Sequence, residues 1–187
     1  MSLDTPLTIL GINGSLRKGS YNRMALVEAQ KLTPADTKID IYDLHEIPLF
    51  NQDQERTPPA PVADFKKCIR AANAILFATP EYNYSVPGVL KNAIDWASRP
   101  LGDSAWKGKP VALISAAHSL LGGARAQYHL RQMLVFLDMH PVNLPEVMIA
   151  QADKKFDADG NLNDETARKL MGQLLQKLVE WSRQLGK

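Results

Sequence analysis

Cysteine occurs once in this chain of 187 residues, at Cys68, and a single cysteine excludes any internal disulfide. Phe65, Ile69 and Ala72 share a helical face with it, so the spacing predicts a buried structural thiol and not a nucleophile. Histidine is almost as scarce. His45, His118, His129 and His140 form no ligand-spaced cluster with the cysteine or the carboxylates, and no metal site is expected. An excess of one charge is missing too: 22 Lys and Arg face 20 Asp and Glu, a net charge of +2 without a dense basic run, which excludes nucleic acid as the main partner. Nowhere do about 18 uncharged apolar residues run together, so no membrane partner and a soluble cytoplasmic protein are expected. The length suits one domain over 1–187 with a core of its own.

What is present is a regular alternation. Strand-like runs at 6–12, 37–44, 74–78, 110–115 and 141–149 are separated by helix-like runs at 22–32, 62–73, 88–98 and 123–138, and a last helix is expected from about 164. Pro48, Pro58, Pro59 and Pro61 make 45–61 a long surface connection, and 153–163 reads as a polar turn region. Five strands joined by helices imply an α/β, doubly wound parallel sheet with helices on both faces. Ligands of such sheets bind beyond the carboxyl ends of the strands. The informative loops are therefore those after Ile12, Ala78 and Ser115.

The first loop runs Gly14-Ser15-Leu16-Arg17-Lys18-Gly19-Ser20-Tyr21-Asn22 into a helix. Glycines permit a tight turn, the hydroxyls of Ser15 and Ser20 and the amide of Asn22 offer hydrogen bonds, and Arg17 offers charge at a positive helix end. A Walker A loop would end Gly-Lys-Ser/Thr, and a dinucleotide fingerprint would space its glycines G-x-G-x-x-G. Neither occurs, which leaves a single phosphate monoester or an ordinary capped strand-to-helix connection. The second loop, Thr79-Pro80-Glu81-Tyr82-Asn83-Tyr84-Ser85-Val86-Pro87-Gly88, is stiffened by proline at both ends and carries two tyrosines that either border a ring system or pack on the protein itself. In the third, Ser115-Ala116-Ala117-His118-Ser119-Leu120-Leu121-Gly122-Gly123, small residues let a flat ligand approach the backbone. His118 is its one titratable group, read either as a surface residue or as a proton donor.

Together, the stretches at 14–22, 80–88, Leu90-Lys91-Asn92-Ala93-Ile94-Asp95-Trp96 and Gly122-Gly123-Ala124-Arg125 resemble the NADPH-dependent FMN reductase family, most closely its bacterial chromate and quinone reductase branch. The resemblance runs from the first strand to about Met148. It implies a flavodoxin-like fold with FMN bound non-covalently and NADPH or NADH as electron donor. Ser15, Arg17, Ser20, Tyr21 and Asn22 match the positions that bind the FMN phosphate. Pro80, Glu81, Tyr82 and Asn83 match the segment bordering the isoalloxazine and ribityl portion, and Ser115, Ala116 and Ala117 match the third contact loop. Ala116, Ala117 and His118 depart from the serine and glycine frequent in relatives, which favours backbone contacts there. The implied activity is ping-pong hydride transfer to a small acceptor such as a quinone, flavin, azo compound or chromate. No catalytic side chain is nominated, because the flavin performs the reaction. Arg125 and Tyr128 fall in a region that resembles the subunit contact of this branch, with Glu146 as a partner, which implies a homodimer or homotetramer. A flavodoxin-like electron carrier and a flavin-free regulatory or interaction domain are the competing classes.

Overall fold

The computed structural model describes residues 6–186. Its strands are β1 (Leu7–Asn13), β2 (Thr37–Asp43), β3 (Ala74–Thr79), β4 (Pro110–Ala116), β5 (His140–Pro141) and β6 (Val147–Ile149). The helices are α1 (Tyr21–Lys31), α2 (Ala60–Ala71), α3 (Gly88–Ala97), α4 (Ala124–Phe136), α5 (Ala152–Lys155) and α6 (Glu165–Leu185). Every pairing is parallel, in the order β2-β1-β3-β4-β5, and β6 also pairs with β4.

Period-two alternation within the strands divides the core in two. Leu7, Ile9, Leu76, Ala78, Ala112, Ile114 and Ala116 pack with α1 and α6, whereas Leu10, Ile12, Ile75, Phe77, Val111 and Leu113 pack with α2, α3 and α4. Both faces are covered, so the central strands β3 and β4 are buried throughout. The chain leaves β1 toward β2 on one side, and β3 lies on the other. That reversal leaves a crevice at the carboxyl ends of β1 and β3.

Several expectations are corrected. The last strand, expected unbroken over 141–149, is two short pieces, giving six strands among the described residues. Pro141 and Pro145 have no N–H for a ladder, and the chain bulges out through Asn143 and Leu144 between them. Helix α2 begins at Ala60 because Pro61 fits the first helical turn, where its missing N–H costs nothing. The polar region 153–163 begins inside the single turn of α5 and closes through a bridge between Phe156 and Leu162. Cys68 is half-buried, not buried, since Val62, Phe65, Lys66 and Ile69 form the inner face of α2. Its thiol is pushed up by burial and then by nearby Asp64, which disfavours the nucleophilic thiolate. Of the expected domain 1–187, residues 1–5 and 187 lie outside the described residues.

The long connection after β2 is tied down. Pro48 O accepts from Asn92 Nδ2 and Trp96 Nε1, both at 2.8 Å, and Phe50 N–H donates to Asn92 Oδ1 at 2.7 Å. At the amino ends of the strands, Lys66 Nζ donates to Arg99 O and, at 2.8 Å, to Asp103 Oδ2, while Arg70 Nη2 meets Asp103 Oδ1 at 2.7 Å. Lys109 Nζ reaches Arg70 O and Ala72 O at 2.9 and 2.5 Å. Lys66 holds the Asp103 carboxyl below its ordinary range, with Arg70 assisting, and burial lowers Lys109.

Candidate functional site

A cleft of about 550 Å³ opens at the carboxyl ends of β1, β3 and β4, within the size range of small-molecule sites. Eleven of the twelve residues expected at the site line it: Ser15, Arg17, Ser20, Tyr21, Asn22, Pro80, Glu81, Tyr82, Asn83, Ala116 and Ala117. Ser115 does not. Strand alternation turns it away from the cleft toward α4, where its hydroxyl donates to Gly122 O at 2.6 Å and accepts from Gln127 Nε2 at 2.9 Å. Tyr84, His118, Ser119 and Arg125 line the cleft in addition. His118 and Ser119 share the third loop, and Tyr84 sits one residue past Asn83. Arg125 carried a weaker signal: the glycine pair before it marks an abrupt helix start that aims the first turn inward.

The first loop is shaped by its own side chains. Asn13 Oδ1 accepts from Ser15 N at 3.2 Å, and Asn13 Nδ2 donates to Ser15 O and Asp43 Oδ1 at 2.8 and 2.9 Å. Gly14 N–H donates to Ala78 O, and a Cβ on Gly14 would lie 3.0 Å from that oxygen, so glycine lets the first loop press against the second. Ser15 Oγ accepts from Arg17 N, and Ser20 caps α1 by accepting from Arg23 N. Each hydroxyl thereby acts as an acceptor and keeps its proton to donate. The N–H groups of Tyr21 and Asn22 stand in the first turn of α1, without intrahelical partners and at the positive dipole end.

Asn22 departs from the expected phosphate role for its amide. That side chain is buried and paired both ways with the backbone of one residue: Nδ2 donates to Ala116 O and Oδ1 accepts from Ala116 N, both at 2.9 Å. It joins the first loop to the third, and its backbone N–H in the first turn of α1 is open to a ligand. Arg17 folds back, with its guanidinium donating to Gly19 O and standing 5.1 Å over the Tyr21 ring. Tyr21 in turn stacks on Phe156 and meets the edge of His118, whose Nδ1 lies 3.3 Å from Asp153.

Glu81 is likewise committed within the protein. Its Oε2 accepts from the N–H groups of Arg125 and Ala126 at 3.0 and 3.3 Å, and its Oε1 accepts from Arg125 Nε at 2.6 Å. The N-cap residue of α4 is Gly123, which has no side chain to offer, so a carboxylate from another loop caps the helix. Glycine is required there: at φ +89° a Cβ would come within 2.8 Å of Ser115 Cβ. Arg125 is held by Glu81, and Tyr128 Oη lies 3.5 Å from Glu146 Oε2 of the same chain.

Residues 7–154 match the family model described as NADPH-dependent FMN reductase. The chain is 56% identical over 181 residues to an NAD(P)H-dependent FMN reductase of Pseudomonas aeruginosa, covering 96% of this chain and 97% of that one. It is 45% identical over 169 residues to a quinone reductase of Pseudomonas putida, covering 90% of each. Among solved structures it is similar to the flavoenzyme NAD(P)H:(acceptor) oxidoreductase of Paracoccus denitrificans, with a TM-score of 0.86 and 35% identity over 95% of this chain and 98% of that one.

Proposed function

This chain belongs to the NADPH-dependent FMN reductase family, and from that premise we propose that it passes two electrons from NAD(P)H to a quinone through FMN seated in the cleft. The observation that carries the proposal is the pair of open N–H groups on Tyr21 and Asn22 beside the hydroxyls of Ser15 and Ser20 and the charge of Arg17, all on the cleft that also presents the tyrosine turn. Such a donor set fits a phosphate monoester. The small Ala116 and Ala117 fit a flat ring lying against backbone.

When bound, FMN supplies a two-electron carrier that accepts a hydride from the nicotinamide. The net reaction consumes NAD(P)H, a proton and a quinone, and yields NAD(P)+ and the hydroquinone. Ser15, Ser20, Tyr21 and Asn22 hold the phosphate end, the last two through backbone N–H groups. Pro80, Tyr82 and Asn83 border the ring end. Arg125 and the start of α4 neutralise Glu81, so that carboxylate does not oppose negative charge developing in the cleft. Flavins, azo compounds and chromate are further acceptors of the same open site.

The protein acts as a homodimer or homotetramer in the cytoplasm, its sequence 1–187 forming one FMN-binding domain. Exposed apolar side chains on and after α4, among them Tyr128, Val135, Phe136 and Leu144, support self-association near Arg125 and Glu146, and light scattering after gel filtration tests it. The enzymatic reading is tested by a visible spectrum of purified protein followed by anaerobic NAD(P)H titration. A yellow protein that bleaches with one equivalent of donor is expected. A colourless protein that takes up no FMN would overturn the proposal in favour of a regulatory domain, and a reduced protein that quinone does not reoxidise would favour an electron carrier.

A further inference from the structure

The turn Tyr82-Asn83-Tyr84-Ser85 carries the least relaxed backbone at the cleft. Tyr82 and Ser85 exchange both N–H···O bonds at 3.0 Å, with Asn83 at φ +50° and Tyr84 at φ +66° between them. Positive φ at both central residues is the signature of a type I′ turn, which normally calls for Asn-Gly. Asparagine tolerates that region. A bulky tyrosine does not, and it persists there only where its surroundings over-determine it.

Those surroundings come from α4. The Arg125 guanidinium stands 3.5 Å from the centre of the Tyr84 ring, and its Nε is anchored on the Glu81 carboxylate, whose side chain is largely covered, one residue before the turn. The far end of the turn is held by Ser85 Oγ, 2.9 Å from His129 Nδ1, one helical turn further along α4. Within a single chain the Tyr84 ring is nonetheless largely exposed, so burial in its own chain does not account for its position.

We infer that Arg125 is a positioning residue for acceptor recognition: by clamping the Tyr84 ring in its left-handed turn, it fixes one wall of the cleft mouth, and that wall selects planar aromatic acceptors. The inference rests on the reductase reading above. Cation–π stacking supplies the clamp, and its guanidinium is oriented by the carboxylate of Glu81. A planar quinone entering the mouth meets a pre-set ring face and does not have to order a mobile one.

The test is steady-state kinetics of the FMN-loaded protein with benzoquinone and with ferricyanide, an octahedral complex that gains nothing from a flat wall. In R125A the KM for benzoquinone should rise about tenfold relative to that for ferricyanide; kcat, which in R125A also feels the released Glu81 charge, is read from Y84A, where it should not change. Y84A should show the same selective rise, and the double variant should be no worse than either single one, because both remove one clamp. Equal effects on the two acceptors, or additive effects in the double variant, would overturn the inference. Should R125A fail to fold, Y84A decides alone, since it leaves Glu81 and Arg125 paired. Failure of the reductase reading shows separately, as unsubstituted protein that binds no FMN or oxidises no NAD(P)H.

Discussion

The two ends of the sheet use polar groups in opposite ways. At the amino ends, Lys66, Arg70, Lys109 and Asp103 pair with one another or with carbonyls, and the loop over 98–109 is stitched to α2. At the carboxyl ends, the side chains of Asn13, Ser15 and Ser20 are hydrogen-bonded too, yet they shape the backbone and leave N–H groups and hydroxyl protons facing a cleft. Open donors that converge on one cleft suit a ligand that brings several acceptors of its own. One end is closed by its own charges. The other is completed by something from solution.

That contrast can be broken most forcefully at Asn22, which serves both purposes. Asn22→Ala removes two buried hydrogen bonds and orphans both polar groups of Ala116, so it should cost about 2–4 kcal/mol of unfolding free energy in urea titrations and also weaken FMN retention. Loss of FMN without loss of stability would return Asn22 to a pure ligand role. Lys66→Ala should be next, lowering stability by about 1–3 kcal/mol while leaving the FMN dissociation constant within about twofold, because it lies at the closed end. Arg17→Ala should do the reverse: FMN binding weakens about tenfold by fluorescence titration, and stability moves by less than about 0.5 kcal/mol.

The smallest effect is in acid. The carboxyls of Asp103, held down chiefly by Lys66, and of Asp164, held down chiefly by Lys155 and then by the Ala167 N–H, bind protons less readily in the folded chain than in the unfolded one. Their contribution is therefore complete above the ordinary carboxylate pKa of about 4 and is lost as pH falls through the depressed folded values. Urea midpoints measured from about pH 6 down to about pH 2 should decline less steeply for Lys66→Ala than for Arg17→Ala.

Much of this architecture was legible in the sequence because its signals are local. Ile75, Leu76 and Phe77 form a short apolar run that only a doubly covered strand can bury, and Ser20 caps the helix that follows it in the manner its chemistry dictates. Partnerships across the fold were not legible. Nothing near Asn22 in sequence points to Ala116, 94 residues away, and the capping of α4 by Glu81 spans 44 residues. Ser115 shows the limit of reading by loop: its position beside the cleft was inferable, but its direction depended on the parity of β4. The last strand was misjudged because apolar character survives across Pro141 and Pro145 while their ladder donors do not.

The tethered connection after β2 has a consequence for how the protein meets proteases. A surface segment of 44–59 with an exposed Leu49 would ordinarily be an early cleavage site, yet Pro48 O binds two side chains of α3 and the ring of Phe50 packs edge-on against Trp96. Cutting there requires the segment to peel from α3 first, so chymotrypsin digestion should spare the Leu49 and Phe50 bonds and begin at Leu120 and Leu121, whose side chains stand exposed on the rim of the third loop. Protection of the long loop and vulnerability of the short one would invert the usual relation between loop length and nicking.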